Sequence, residues 1–120
     1  MAITGAHVVL HTPDPEGLRA TLRDVFGFAH VDAGGDWLIF ALPPAELAVH
    51  PSERSWHQLT FMCDDVHATV AELKAKSIEF SGDPEEYPHM VATTMRLPGG
   101  VDVLLYEPRH PTAIGPNRKG

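Results

Sequence analysis

Hydrophobic and polar residues change rhythm several times along the chain, and each change marks a predicted element. From Ile3 to His11 the residues are mostly apolar and β-branched, which predicts a strand. Asp14 suits a helix N-cap and Pro15 the first helical position. Leu18, Leu22, Val25 and Phe26 then fall at i, i+4, i+7 and i+8, one apolar face of a helix that Gly27 ends. Three short extended runs follow, Phe28 to Asp32, Asp36 to Leu42 and Ala45 to His50, separated by Gly34-Gly35 and Pro43-Pro44.

The second half repeats this order. Trp56 to Cys63 predicts a strand, and Asp64-Asp65 opens a helix with Val66, Val70 and Leu73 on one face. Ile78 to Phe80 is a short strand, and the polar stretch from Ser81 to Pro88 is a loop. Val91 to Leu97 and Val101 to Tyr106 form a hairpin around Pro98-Gly99-Gly100. A shift of 51 residues carries Asp14 onto Asp65, Ala20 onto Ala71 and Leu22 onto Leu73, with Val8 on Leu59 and Leu10 on Phe61. The expectation is one α+β domain over 1–120: two βαβββ units, about 1–52 and 53–108, then a loose tail over 109–120. The competing reading is a ferredoxin-like sandwich with accidental similarity.

Composition narrows the partners. Nine Lys and Arg stand against 16 Asp and Glu, a formal net charge of −7, which disfavours nucleic acid. No apolar run is long enough for a membrane span, and Met1 to Gly5 lacks the features of a signal peptide. A lone Cys63 has no internal disulfide partner and reads as a structural thiol. Together these predict a cytoplasmic protein.

Three stretches carry a resemblance to a known family. They are His7 with its following helix to Asp24-Val25-Phe26-Gly27-Phe28; Phe61-Met62-Cys63-Asp64-Asp65-Val66 with Ala71-Glu72-Leu73; and Leu97-Pro98-Gly99-Gly100 leading to Leu105-Tyr106-Glu107-Pro108. In this order they resemble the vicinal-oxygen-chelate superfamily of glyoxalase, bleomycin-resistance and dioxygenase proteins. The resemblance implies a curved mixed sheet around a cup with helices outside. It also implies a divalent metal (Zn, Ni, Mn or Fe) that chelates two neighbouring substrate oxygens, and a homodimer.

Matched to the family's metal positions, His7 falls on the first, with Val8 and Leu10 alternating away from it. Gln58, rather than His57, lies opposite His7 under the 51-residue shift, although a bulge would exchange them. The remaining positions fall on Leu104 and near Ala48, neither of which is a ligand. His50 shares the parity of Ala48, and Glu107 comes three residues after Leu104, on the opposite face by regular alternation. The implied metal set is therefore His7, His50 and Gln58, an incomplete site, with Glu107 as the carboxylate that would move a proton. Thr94, Arg96, Leu104 and Tyr106 are candidates to line the cup, and Trp37 and Trp56 to stack on a flat ligand. The stretch from Ser81 to His89 is a candidate lid.

Two functions follow. One is a metal-dependent lyase, isomerase or dioxygenase acting on a vicinal-oxygen substrate, though not an ordinary glyoxalase I, given the missing carboxylates. The other is a metal-free protein that sequesters an apolar or aromatic small molecule, resembling bleomycin-resistance proteins. A noncatalytic partner subunit is a third.

Overall fold

The computed structural model describes residues 7–35 and 37–114. Helix α1, Pro15–Ala20, begins as expected: the Asp14 carboxylate accepts from the Gly17 backbone N–H at 3.0 Å. It continues into a wider π-helical stretch, Thr21–Val25, closed by Phe26 N–H donating to the Thr21 carbonyl. Two short strands follow, β1 (His30–Asp32) and β2 (Leu38–Phe40), paired antiparallel as an isolated ribbon.

The second half holds the main sheet. Its elements are β3 (Thr60–Met62), α2 (Val66–Ala75), β4 (Glu79–Phe80), β5 (Glu85–Tyr87), β6 (Met90–Leu97) and β7 (Val101–Pro108). The strand order is β3-β7-β6-β4, with β5 also pairing β6; β3 runs parallel to β7 and the other pairs are antiparallel. The chain is thus α+β with a mixed sheet. Asp65 caps α2 by accepting from Ala68 N–H at 3.1 Å.

Alternation along the long β6–β7 hairpin sorts its residues to two faces. Val91, Met95, Leu97, Val103 and Leu105 are buried together with Val66, Val70 and Leu73 of α2 and Leu18 of α1. Leu59 and Phe61 pack against the same core, in keeping with the predicted parity of the second leading strand; Leu10 does so too, but Val8, predicted to share its side, is 51% exposed. Phe61 meets Phe26 and Phe28 edge-on at 5.8 and 5.7 Å, which docks the end of the first helix onto β3.

The first half departs from expectation. The first predicted strand begins outside the described residues, and residues 7–11 carry no ladder. The stretch from Ala45 to His50 is also not a strand, and Leu47 and Val49 are 94% and 95% exposed. Trp56 to Cys63 shortens to β3. In the second half the deviation goes the other way: the predicted loop from Ser81 to Pro88 contains β5, which folds back on β6. The tail is tethered rather than loose as far as residue 114. Arg109 N–H donates to the His89 carbonyl, and Ala113 N–H donates to Glu46 Oε2 at 2.6 Å.

Candidate functional site

The sheet face turned away from α2 is set by register. Thr60 pairs with Leu104 and Met62 with Tyr106, while Ala92 pairs with Tyr106 and Thr94 with Leu104. Paired residues share a face, so Thr60, Met62, Leu104, Tyr106, Ala92 and Thr94 point the same way. Against part of this face the Ser81–Tyr87 segment folds over to leave a hollow of about 480 Å3, within the range of small-molecule sites. Leu104, Ala92, Met90 and Thr94 form its floor, and Asp83 and Tyr87 belong to its rim. Thr93 pins the rim by donating its hydroxyl to the Gly82 carbonyl at 2.7 Å, and Tyr87 OH donates to Glu85 at 2.8 Å.

Two predicted lining residues, Thr94 and Leu104, meet in this hollow. Tyr106 lies beside it, half-buried, its ring stacked on His110 at 6.4 Å. Burial, reinforced by nearby Glu46, raises the phenol above its usual value although the Thr60 hydroxyl partly offsets this. It therefore remains a proton donor at neutral pH. Arg96 shares the face but is exposed, opposite Asp102. Trp37 and Trp56 are 58% and 62% exposed and do not line the hollow; Trp56 donates its indole N–H to Ser52.

Met90, Ala92 and Tyr87 were missed as individual residues. Their signal was present in alternation from Thr94 back along β6, and in the insertion already singled out as a lid.

The metal-ligand candidates sit elsewhere. His7, His50, His57 and Gln58 are exposed and in no strand, and His50 Nδ1 lies 2.8 Å from the Pro51 carbonyl. Glu107 occupies the helix side of β7, as regular alternation requires. Its Oε1 accepts from Val66 N–H at 3.1 Å and its Oε2 from Arg109 Nε at 3.1 Å. These two bonds, the backbone one foremost, hold the carboxyl below its ordinary value. Glu107 is therefore a structural anion at the start of α2, and as a proton-transferring group at the hollow it has to be corrected. Among the described residues no three His, Cys, Asp or Glu side chains lie close enough together to hold a metal. The predicted set of His7, His50 and Gln58, two imidazoles and one amide, comes from exposed segments outside the sheet.

Cys63 is half-buried, and its thiol points at the Tyr106 carbonyl at 3.6 Å. Burial raises its pKa, so the thiol stays protonated and structural. No helix among the described residues is long and apolar enough to cross a membrane.

No family model matches the chain, and no curated protein sequence matches it. Solved structures do. An antibiotic-binding protein, TnmS3, from Streptomyces sp. CB03234 is 23% identical, with 90% of this chain and 98% of that one covered at a TM-score of 0.66. A member of the glyoxalase/bleomycin resistance protein/dioxygenase superfamily from Sphaerobacter thermophilus DSM 20745 is 18% identical, covering 89% and 99% at 0.63. A lactoylglutathione lyase from Agrobacterium tumefaciens is 21% identical, covering 87% and 92% at 0.61. The chain has the fold of these proteins, the vicinal-oxygen-chelate fold.

Proposed function

We propose that this protein binds and sequesters an apolar or aromatic small molecule in the hollow between β6, β7 and the Ser81–Tyr87 segment. The observation that carries the reading is the floor. Leu104 stands where the superfamily resemblance calls for a metal-binding carboxylate, and Ala92 and Met90 extend the apolar surface beside it. Around that apolar patch the hollow is mostly polar, with Asp83, Glu85, Tyr87 and Thr94 among its lining, which suits a guest whose flat apolar part rests on Leu104 while its polar or cationic groups meet the hydroxyls and carboxylates above. That TnmS3, of the same fold, is an antibiotic-binding protein agrees with a binding role here. The net charge of −7 favours a neutral or cationic guest over an anionic one.

Fluorescence titration with Nile red, a neutral planar probe, tests the reading. Wild-type protein is expected to bind it, and Leu104→Asp to weaken binding by about tenfold or more, since a carboxylate must then be desolvated beneath the probe. Unchanged affinity in Leu104→Asp would overturn the reading. So would near-stoichiometric metal in protein purified without chelator that is lost on His7→Ala; that result selects the metal-dependent alternative.

A further inference from the structure

The sheet face that floors the hollow continues beyond it. On β7, Tyr106 follows Leu104 by two residues and points the same way, roughly 7 Å along the strand. Across the ladders Tyr106 is the partner of Ala92, itself part of the floor, and of Met62 on β3. The hollow therefore borders on a second patch, made by Tyr106, Met62 and Thr60, that its lining does not include. All three residues are only partly accessible.

The chain's own tail covers that patch. Strand β7 ends at Pro108. Arg109 N–H then donates to the His89 carbonyl at 2.7 Å, and its guanidinium reaches Glu107 at 3.1 Å and Glu86 at 4.0 Å. Beyond this anchor the His110 ring stacks on Tyr106, with 6.4 Å between centroids and 28° between planes. Thr112 closes a small turn by donating its hydroxyl to the Ile114 carbonyl at 2.6 Å, and Ala113 N–H reaches Glu46. Glu46 lies close enough to Tyr106 to act on its phenol, so both tail contacts gather around one ring.

The two parts of the tail are held differently. Arg109 is fixed by a backbone hydrogen bond and two ion pairs. The segment from His110 to Ile114 has one ring stack and one exposed hydrogen bond to the rest of the chain, joins no ladder and gives no side chain to the core. A segment held this way opens far more readily than the sheet beneath it.

We infer that residues 110–114 are a displaceable cap seated on the binding face. The hollow is the closed form of a longer groove, and an elongated apolar guest running from Leu104 over Tyr106 towards Met62 lifts the cap, which pivots after Arg109. This rests on the hollow being the binding site, and adds what limits the guest. Compact molecules bind under the Ser81–Tyr87 segment alone; longer ones must also displace the tail. A flat guest replaces the His110 ring on Tyr106 with its own surface, so the contact that is lost is restored in kind. The coupling is reciprocal: releasing the cap strengthens binding of long guests, and long guests loosen the cap.

Two neutral rods of similar cross-section and different length, trans-stilbene and diphenylhexatriene, test the inference. Each is titrated by fluorescence into wild type and into His110→Ala/Ala113→Pro. That variant removes the ring stack and the amide donor while leaving the face beneath unchanged. Stilbene is expected to bind both proteins equally, and diphenylhexatriene to bind the variant about tenfold more tightly. Amide hydrogen exchange on wild type gives a second reading that needs no variant, and it decides the matter if the variant fails to fold. Saturating diphenylhexatriene should accelerate exchange at Ala113, and saturating stilbene should not. Equal affinity of diphenylhexatriene for the two folded proteins, or an Ala113 amide that stays slow with it bound, overturns the cap and leaves the hollow standing. Failure of stilbene to bind wild type overturns the hollow as the binding site, and the cap with it.

Discussion

The Glu107 carboxylate lies 3.1 Å from the backbone N–H of Val66, joining the end of β7 to the first turn of α2. An anion there meets an N–H that has no partner within the helix, and the positive end of the helix dipole. The contact also explains why a carboxylate so near the hollow does not face it: three residues from Leu104 reverse the side of the strand. Glu107→Ala is expected to destabilise the protein, lowering the thermal midpoint by about a few degrees, with little effect on binding in the hollow. Thermal unfolding and probe titration of one preparation separate the two effects.

The same contact sets a pH dependence. The folded-state pKa of Glu107 is depressed below its ordinary value of 4.5. Its contribution to stability is therefore complete above that ordinary value and fades as pH falls through the lower, folded-state value. Glu107→Gln can keep the bond from Val66 but cannot titrate. Urea denaturation from neutral pH into the acid range should show wild type and Glu107→Gln converging as pH drops. A constant difference between them would remove the linkage.

Met95 is completely buried where β6 meets α2 and α1. Met95→Ala is expected to cost about 2–5 kcal/mol, the transfer of the side chain plus the void it leaves. Leu47→Ala, at a 94% exposed position, should change stability by about 0.5 kcal/mol or less. Denaturant titration measures both. The pair checks that the core resides in the second half.

That imbalance explains what could be read from the sequence. The second-half pattern was legible because its periodicity is reinforced by tertiary contact: Asp65 caps α2, and Val91, Met95, Val103 and Leu105 alternate onto one face. The first helix was legible through Asp14, Pro15 and the Leu18 stripe. Ala45 to His50 has the same alternation, yet no strand forms there, because a strand needs a hydrogen-bonded neighbour and periodicity cannot supply one. In the hollow, Leu104 and Thr94 followed from strand parity. Met90 and Ala92 were hidden because a small or flexible apolar side chain looks the same whether it faces a core or a ligand site.

Tethering of the tail gives a separate prediction. Ala113 N–H donates to Glu46, and His110 stacks on Tyr106. Replacing Glu46 with Ala removes the acceptor that amide has among the described residues. Amide hydrogen exchange at Ala113 should then accelerate towards the rate of an open chain, while exchange in the β6–β7 hairpin stays unchanged. Slow exchange at Ala113 in Glu46→Ala would show that the tail is held by something other than this bond.

Gly99 turns the β6–β7 hairpin at φ +82°, a left-handed value, and a Cβ built there would collide with the Thr12 hydroxyl. Thr12 is itself fixed: its hydroxyl accepts from Asp14 N–H at 3.1 Å and reaches the Pro98 carbonyl at 3.4 Å. The approach to the first helix is therefore fastened to a turn in the other half of the chain. Gly99→Ala is expected to cost about 1–3 kcal/mol, combining backbone strain with the collision. In a Thr12→Ala background the collision with the hydroxyl disappears, while the strain and the 3.2 Å approach to Asp14 N remain, so the same substitution should cost less. A double-mutant cycle by denaturant unfolding measures that coupling. Equal costs in the two backgrounds would mean that the turn and the first-half segment are not in contact.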